Sequence, residues 1–89
     1  MCTYQTRTIP VRGSGKGATG WFPVTEASVY FDHPVHAPDT HTLNVDFLRL
    51  GDQTVERVAV ELDPGSARAL ADAILASLDE APAELRSTG

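Results

Sequence analysis

Val55-Glu56-Arg57-Val58-Ala59-Val60-Glu61-Leu62 runs straight into Asp63-Pro64-Gly65-Ser66-Ala67-Arg68-Ala69-Leu70-Ala71-Asp72-Ala73-Ile74-Leu75-Ala76-Ser77-Leu78. Across this stretch the apolar period changes from two to about 3.6 residues. Val58, Val60 and Leu62 alternate with Arg57, Ala59 and Glu61, which predicts a strand with its apolar side inward. Asp63 or Ser66 can cap a helix, and Pro64 suits a first helical position because its missing N–H costs nothing there. Ala67, Leu70, Ala71, Ile74, Leu75 and Leu78 then fall on one helical face, with Arg68, Asp72 and Asp79 opposite. Pro82 ends the helix, leaving 83–89 as a loose tail.

Working back from this junction, Thr42 to Leu50 alternates Leu43, Val45 and Phe47 against Asn44 and Asp46, a half-buried strand. Gly51-Asp52-Gln53 is the turn between these strands. Val24 to Phe31 reads as another strand, with Ala27, Val29 and Phe31 on one side. Cys2 to Ile9 is rich in β-branched and aromatic residues and reads as the first, its regular pairing ended by Pro10. The order β-β-β-β-α predicts an α+β fold: a four-stranded antiparallel meander with one C-terminal amphipathic helix packed on one face. Residues 1–80 form the single domain and 81–89 the tail.

Eighty-nine residues hold one core. A chain this short buries only about 60% of its unfolded surface, so a metal or a second copy is an expected stabiliser, and a homo-oligomer, most simply a dimer, is expected. Seven Lys and Arg against twelve Asp and Glu give a formal charge of −5. That field repels phosphate backbones and anionic membrane surfaces, so neither nucleic acid nor membrane is an expected partner. One cysteine cannot form an internal disulfide. With no apolar leader at the N-terminus, the expected location is the cytoplasm.

Gly13-Ser14-Gly15-Lys16-Gly17-Ala18-Thr19-Gly20 superficially resembles a phosphate loop. A P-loop, however, requires a glycine where Pro10 stands, a Ser or Thr where Gly17 stands, and a helix afterwards. No nucleotide cofactor is expected. The stretch reads instead as a long flexible hairpin connection, or as a lid over a small-molecule pocket with Lys16 offering charge and Trp21 anchoring its base.

All three histidines fall in Phe31-Asp32-His33-Pro34-Val35-His36-Ala37-Pro38-Asp39-Thr40-His41. Imidazole and thiolate suit Zn, Fe or Cu, and Asp32 and Asp39 could add oxygen ligands. Pro34 and Pro38 limit the loop's freedom, lowering the entropic cost of holding several ligands together. If the first two strands form a hairpin, Cys2 lies beside the mouth of this loop. Loss of Met1 would turn Cys2 into a thiolate–amine chelator. The expected site is Cys2, His33, His36 and His41 around a transition metal, in a small metal-binding protein or a metalloenzyme of hydrolase, lyase or isomerase type. The spacing matches no zinc-finger or zincin pattern. Two metal-free alternatives compete: a histidine acting as acid or base, and a binding or protein-interaction module using the polar sheet face or the helix.

Met1-Cys2-Thr3-Tyr4, Gly13-Ser14-Gly15-Lys16-Gly17 with Gly20-Trp21-Phe22, Phe31-Asp32-His33-Pro34-Val35-His36-Ala37-Pro38 and His41-Thr42-Leu43-Asn44-Val45-Asp46-Phe47 carry a resemblance over nearly all of residues 1–79. The chain resembles a family of short bacterial proteins of unknown function. The resemblance implies no activity. The Met1-Cys2 start is also similar to that of small hydrogenase-maturation chaperones, whose second half-barrel pattern is missing here.

Overall fold

A computed structural model describes residues 5–36, 38, 40–50 and 55–86. Four strands, β1 (Arg7–Gly17), β2 (Gly20–Asp32), β3 (Thr42–Leu50) and β4 (Val55–Leu62), form one antiparallel sheet in the order β1-β2-β3-β4. A helix α1 (Pro64–Glu80) and a single helical turn α2 (Ala83–Arg86) follow. The fold is therefore the α+β meander with a C-terminal helix that the periodicities predict. The predicted turn at Gly51-Asp52-Gln53, and Cys2 and Asp39, lie outside the described residues.

Register sorts the side chains onto two faces. Ala27 pairs with Phe47, Val29 with Val45 and Phe31 with Leu43. Across the next ladder Phe47 meets Val58, Val45 meets Val60 and Leu43 meets Leu62. With Ile9 opposite Ala27, these residues make one apolar face. Ser28, Tyr30, Asn44, Asp46, Arg57, Ala59 and Glu61 stand on the other.

The first hairpin corrects the sequence reading. The glycine-rich stretch is not a long flexible connection. It is paired strand as far as Gly17, which lies opposite Gly20, leaving Ala18-Thr19 as the turn. Gly20 has φ +124°, open only to glycine at low cost, and this lets two ordinary residues close the hairpin. Gly15 serves another purpose. A Cβ there would sit 3.1 Å from Val24 Cγ2 and 3.8 Å from Val58 Cγ2, so its bare backbone admits both side chains against the strand. Pro10 does not end β1. It falls at a register irregularity between Pro10 and Gly13, where a missing N–H is tolerated.

Asp63 caps α1, its carboxylate accepting from the Ser66 N–H at 2.8 Å and the Ser66 hydroxyl at 3.0 Å, with Pro64 in the first turn. These hydrogen bonds from Ser66 hold the Asp63 carboxyl below its ordinary pKa. Ala81 forms the C-terminal cap. Arg86 then donates to the carbonyls of Asp79 at 2.9 Å and Ala81 at 3.3 Å, fixing the helical turn 83–86 where the sequence suggests a loose tail.

The helix does not lie down on the sheet as its amphipathic pattern suggests. Pro64, Ala67 and Ala71 approach Val29, Phe31 and Leu43, with Arg68 and Asp72 beside them, across an open cleft. No residue of α1 is buried along its whole length, and Ile74 is 52% and Leu75 61% exposed. The buried side chains are instead Phe22, Val24 and Ala27 of β2 and, on the polar side, Thr42 and Asn44.

Candidate functional site

The histidine loop closes the end of the sheet where β2 leaves and β3 begins, with Asp32 opposite Thr42 as the last pair. Two local hydrogen bonds shape it. The His33 N–H donates to Asp32 Oδ1 at 2.7 Å, a contact between sequence neighbours where the chain leaves β2 for Pro34. His33 Nδ1 lies 3.0 Å from the Thr40 carbonyl oxygen, tying the two ends of the loop together. A carbonyl oxygen can only accept, so Nδ1 carries the proton, and in the neutral ring the lone pair is on Nε2.

The His41 ring sits beside that imidazole. The His33 and His41 centroids are 4.4 Å apart at 36°, and His41 also stacks on Phe31 at 5.7 Å and 11°. His36 is held elsewhere. Its N–H donates to Glu61 Oε1 at 3.0 Å while the Val35 N–H donates to Glu61 Oε2. Glu61 on β4 thus straps the first half of the loop across the polar face, where Val35, His36, Arg57, Ala59 and Glu61 line an open cavity. On the same face Thr42 is 0% and Asn44 4% exposed, and the Thr42 hydroxyl donates to Asn44 Oδ1 at 2.8 Å.

Of the four ligands expected from sequence, the fold brings His33 and His41 together and sets His36 on the Glu61 side. Cys2 lies outside the described residues, although β1 and β2 do form the antiparallel hairpin on which its placement depends. Among the described residues, no three His, Cys, Asp or Glu side chains gather where a metal ion could be held.

The proposed lid pair is placed differently from a loop and its anchor. Lys16 and Trp21 are cross-strand partners near the tip of the first hairpin. Lys16 lines a cavity of about 390 Å³ with Arg12, Gly15, Val24, Phe47 and Val58, whereas Trp21 is 71% exposed and lines no part of it.

Sequence reasoning gave Glu61 no role, because its partners lie twenty-five and more residues away and are backbone amides. The polar face also carries an unforeseen chain of contacts. Tyr30 donates its hydroxyl to Asp46 Oδ2 at 3.3 Å, and Arg57 pairs with Asp46 Oδ1 at 3.4 Å. Burial, and then the Asp46 carboxylate, push the Tyr30 phenol above its ordinary pKa, with Arg57 opposing. Alternation of Tyr30 with Val29 and Phe31, and of Asp46 with Val45 and Phe47, was the available signal.

A family model described as a family of unknown function, DUF6295, matches residues 1–87. The chain belongs to DUF6295. No curated protein and no solved structure matches this DUF6295 chain. No helix among its described residues is long and apolar enough to cross a membrane.

Proposed function

We propose that this is a small cytoplasmic metal-binding protein whose site is centred on His33 and His41. The observation that carries the reading is the bond from His33 Nδ1 to the Thr40 carbonyl beside the His41 ring. Metal-ligating histidines ordinarily donate their other ring N–H to a carbonyl or carboxylate, which fixes the tautomer and raises the basicity of the ligating nitrogen. His33 is arranged in that way, and the donor chemistry of two imidazoles suits Zn, Cu or Fe. Cys2 is the sequence's candidate for a further ligand. Coordination by few protein groups would leave open positions of the kind a hydrolytic metal centre uses.

Metal content of untagged protein, followed by titration with Zn²⁺, tests this reading. One equivalent is expected, with affinity reduced about tenfold or more in both His33→Ala and His41→Ala, and changed far less in His36→Ala. Failure of the wild-type chain to bind Zn²⁺, Cu²⁺ or Fe²⁺ overturns it. A Cys2→Ala variant separates a three-ligand site from a histidine pair.

A second reading rests on a different observation, the exposed apolar stripe of α1. It makes the chain a binding module whose helix is a docking element for another polypeptide.

A further inference from the structure

Two apolar surfaces in this chain are left without cover. One is the stripe of Leu70, Ile74, Leu75 and Leu78 on α1, each about half exposed or more. The other is the apolar sheet face, where Ile9 and Val60 on the two edge strands and Phe47 between them are all exposed. The stripe cannot settle further onto its own sheet cheaply. Leu62 ends β4, Asp63 is the cap and Pro64 begins the helix, so the two Ser66 bonds to Asp63 fix the exit direction with no linker to bend.

The surplus can be sized. The chain exposes 6926 Å², whereas a compact monomer of this mass exposes about 5,000 Å². Its radius of gyration is 14.8 Å, against about 12 Å for a compact domain of this length. That excess of about 1,900 Å², polar and apolar surface together, leaves room for the roughly 800 Å² that each partner contributes to a stable interface.

We propose that a second copy of this chain supplies the cover, each protomer's α1 stripe lying on the open apolar sheet face of the other. The proposal rests on the second reading above, not on the histidine pair. Both halves of the contact are present on one chain, as an isologous two-fold interface requires. The seventeen residues of α1 make a rod of about 25 Å, long enough to reach across a neighbouring four-stranded sheet. The charged residues beside the sheet face sit at its margins, Arg12 and Lys16 at the β1 end and Arg68 and Asp72 at the helix end. The stripe is Leu and Ile, and the facing strands present Val45, Phe47, Val58 and Val60. One chain too short to cover both surfaces becomes a closed pair.

Sedimentation equilibrium of the full chain with chelator present tests the proposal. Twice the chain mass is expected, with Ile74→Asp and Val60→Asp each giving single chains. Leu75→Asp, at a still more exposed position, repeats the helix arm should Ile74→Asp fail to fold, and helical circular dichroism verifies folding in each. A wild-type chain that stays single up to about 1 mM overturns the proposal. A dimer that survives Val60→Asp overturns the reciprocal seating. Binding of a fluorescent apolar dye to a single-chain wild type, lost in Ile74→Asp, would overturn the second copy while keeping the docking reading. A single chain that binds no dye overturns both.

Discussion

On the face carrying Tyr30, Asn44, Asp46 and Glu61, the chain supplies its own partners; on the face carrying Ile9, Phe47 and Val60, it leaves apolar carbon exposed. The contrast inverts the usual expectation for a half-buried antiparallel sheet, in which the apolar side is covered and the polar side wet. The reason lies in what each kind of group needs. A hydrogen bond is directional and is completed by one well-placed atom, so a single carboxylate, Glu61, can fasten a loop by two backbone amides. Apolar burial scales with area, and it needs bulk that eighty-nine residues do not have to spare. The polar side is thus finished by sequence-distant single contacts, while the apolar side is left open.

The sharpest way to break this comparison is to spoil the finished side. Asn44→Ala leaves the buried Thr42 hydroxyl without its acceptor and opens a small void. Loss of about 2–3 kcal/mol is expected in urea unfolding. A change within about 0.5 kcal/mol, as at an ordinary surface position, would mean the polar side is not the closed one.

Glu61→Gln is expected to act next most strongly. An amide cannot offer two anionic oxygens to the Val35 and His36 N–H groups, and about 1–2 kcal/mol of loop fastening should go. Hydrogen exchange reads it directly: those two amides exchange faster, while those of β2 and β3 change little. Equal protection in the variant would show that the prolines, not the carboxylate, hold the loop.

The smallest effect concerns Tyr30. Its phenol is raised in the folded protein, so it contributes stability while protonated. That contribution is complete below the ordinary tyrosine range and is lost as pH rises through the raised folded value. Tyr30→Phe should lower Tm slightly across the neutral region and flatten the alkaline fall in stability, measured as Tm against pH. An unaltered alkaline limb would remove the Tyr30–Asp46 contact from the account of this face.

Much of the fold was legible because its signals are local. The alternation at 42–50 and 55–62, and the Asp63-Pro64 start, each lie within a few residues, and they fix β3 and β4 with their observed bounds and place α1 after them. The glycine-rich segment was misread for a physical reason. Glycine signals conformational freedom in isolation, but at Gly15 it serves close packing, and that depends on where Val24 and Val58 lie. The candidate site divides in the same way. The clustering of histidines within 33–41 is visible as a string, yet which two rings meet is decided by the Thr40 carbonyl and by Phe31.

By itself, the sequence determined the types and order of β2, β3, β4 and α1, the faces on which their side chains stand and the gathering of imidazoles in one loop. Each follows from periodicity or spacing along the chain. Only the tertiary structure decided that Glu61 straps that loop, that His33 pairs with His41 and not His36, and that α1 departs from the sheet at the angle set by its Asp63 cap. Those outcomes depend on distances between residues far apart in the chain, and on how little apolar area one short chain can cover.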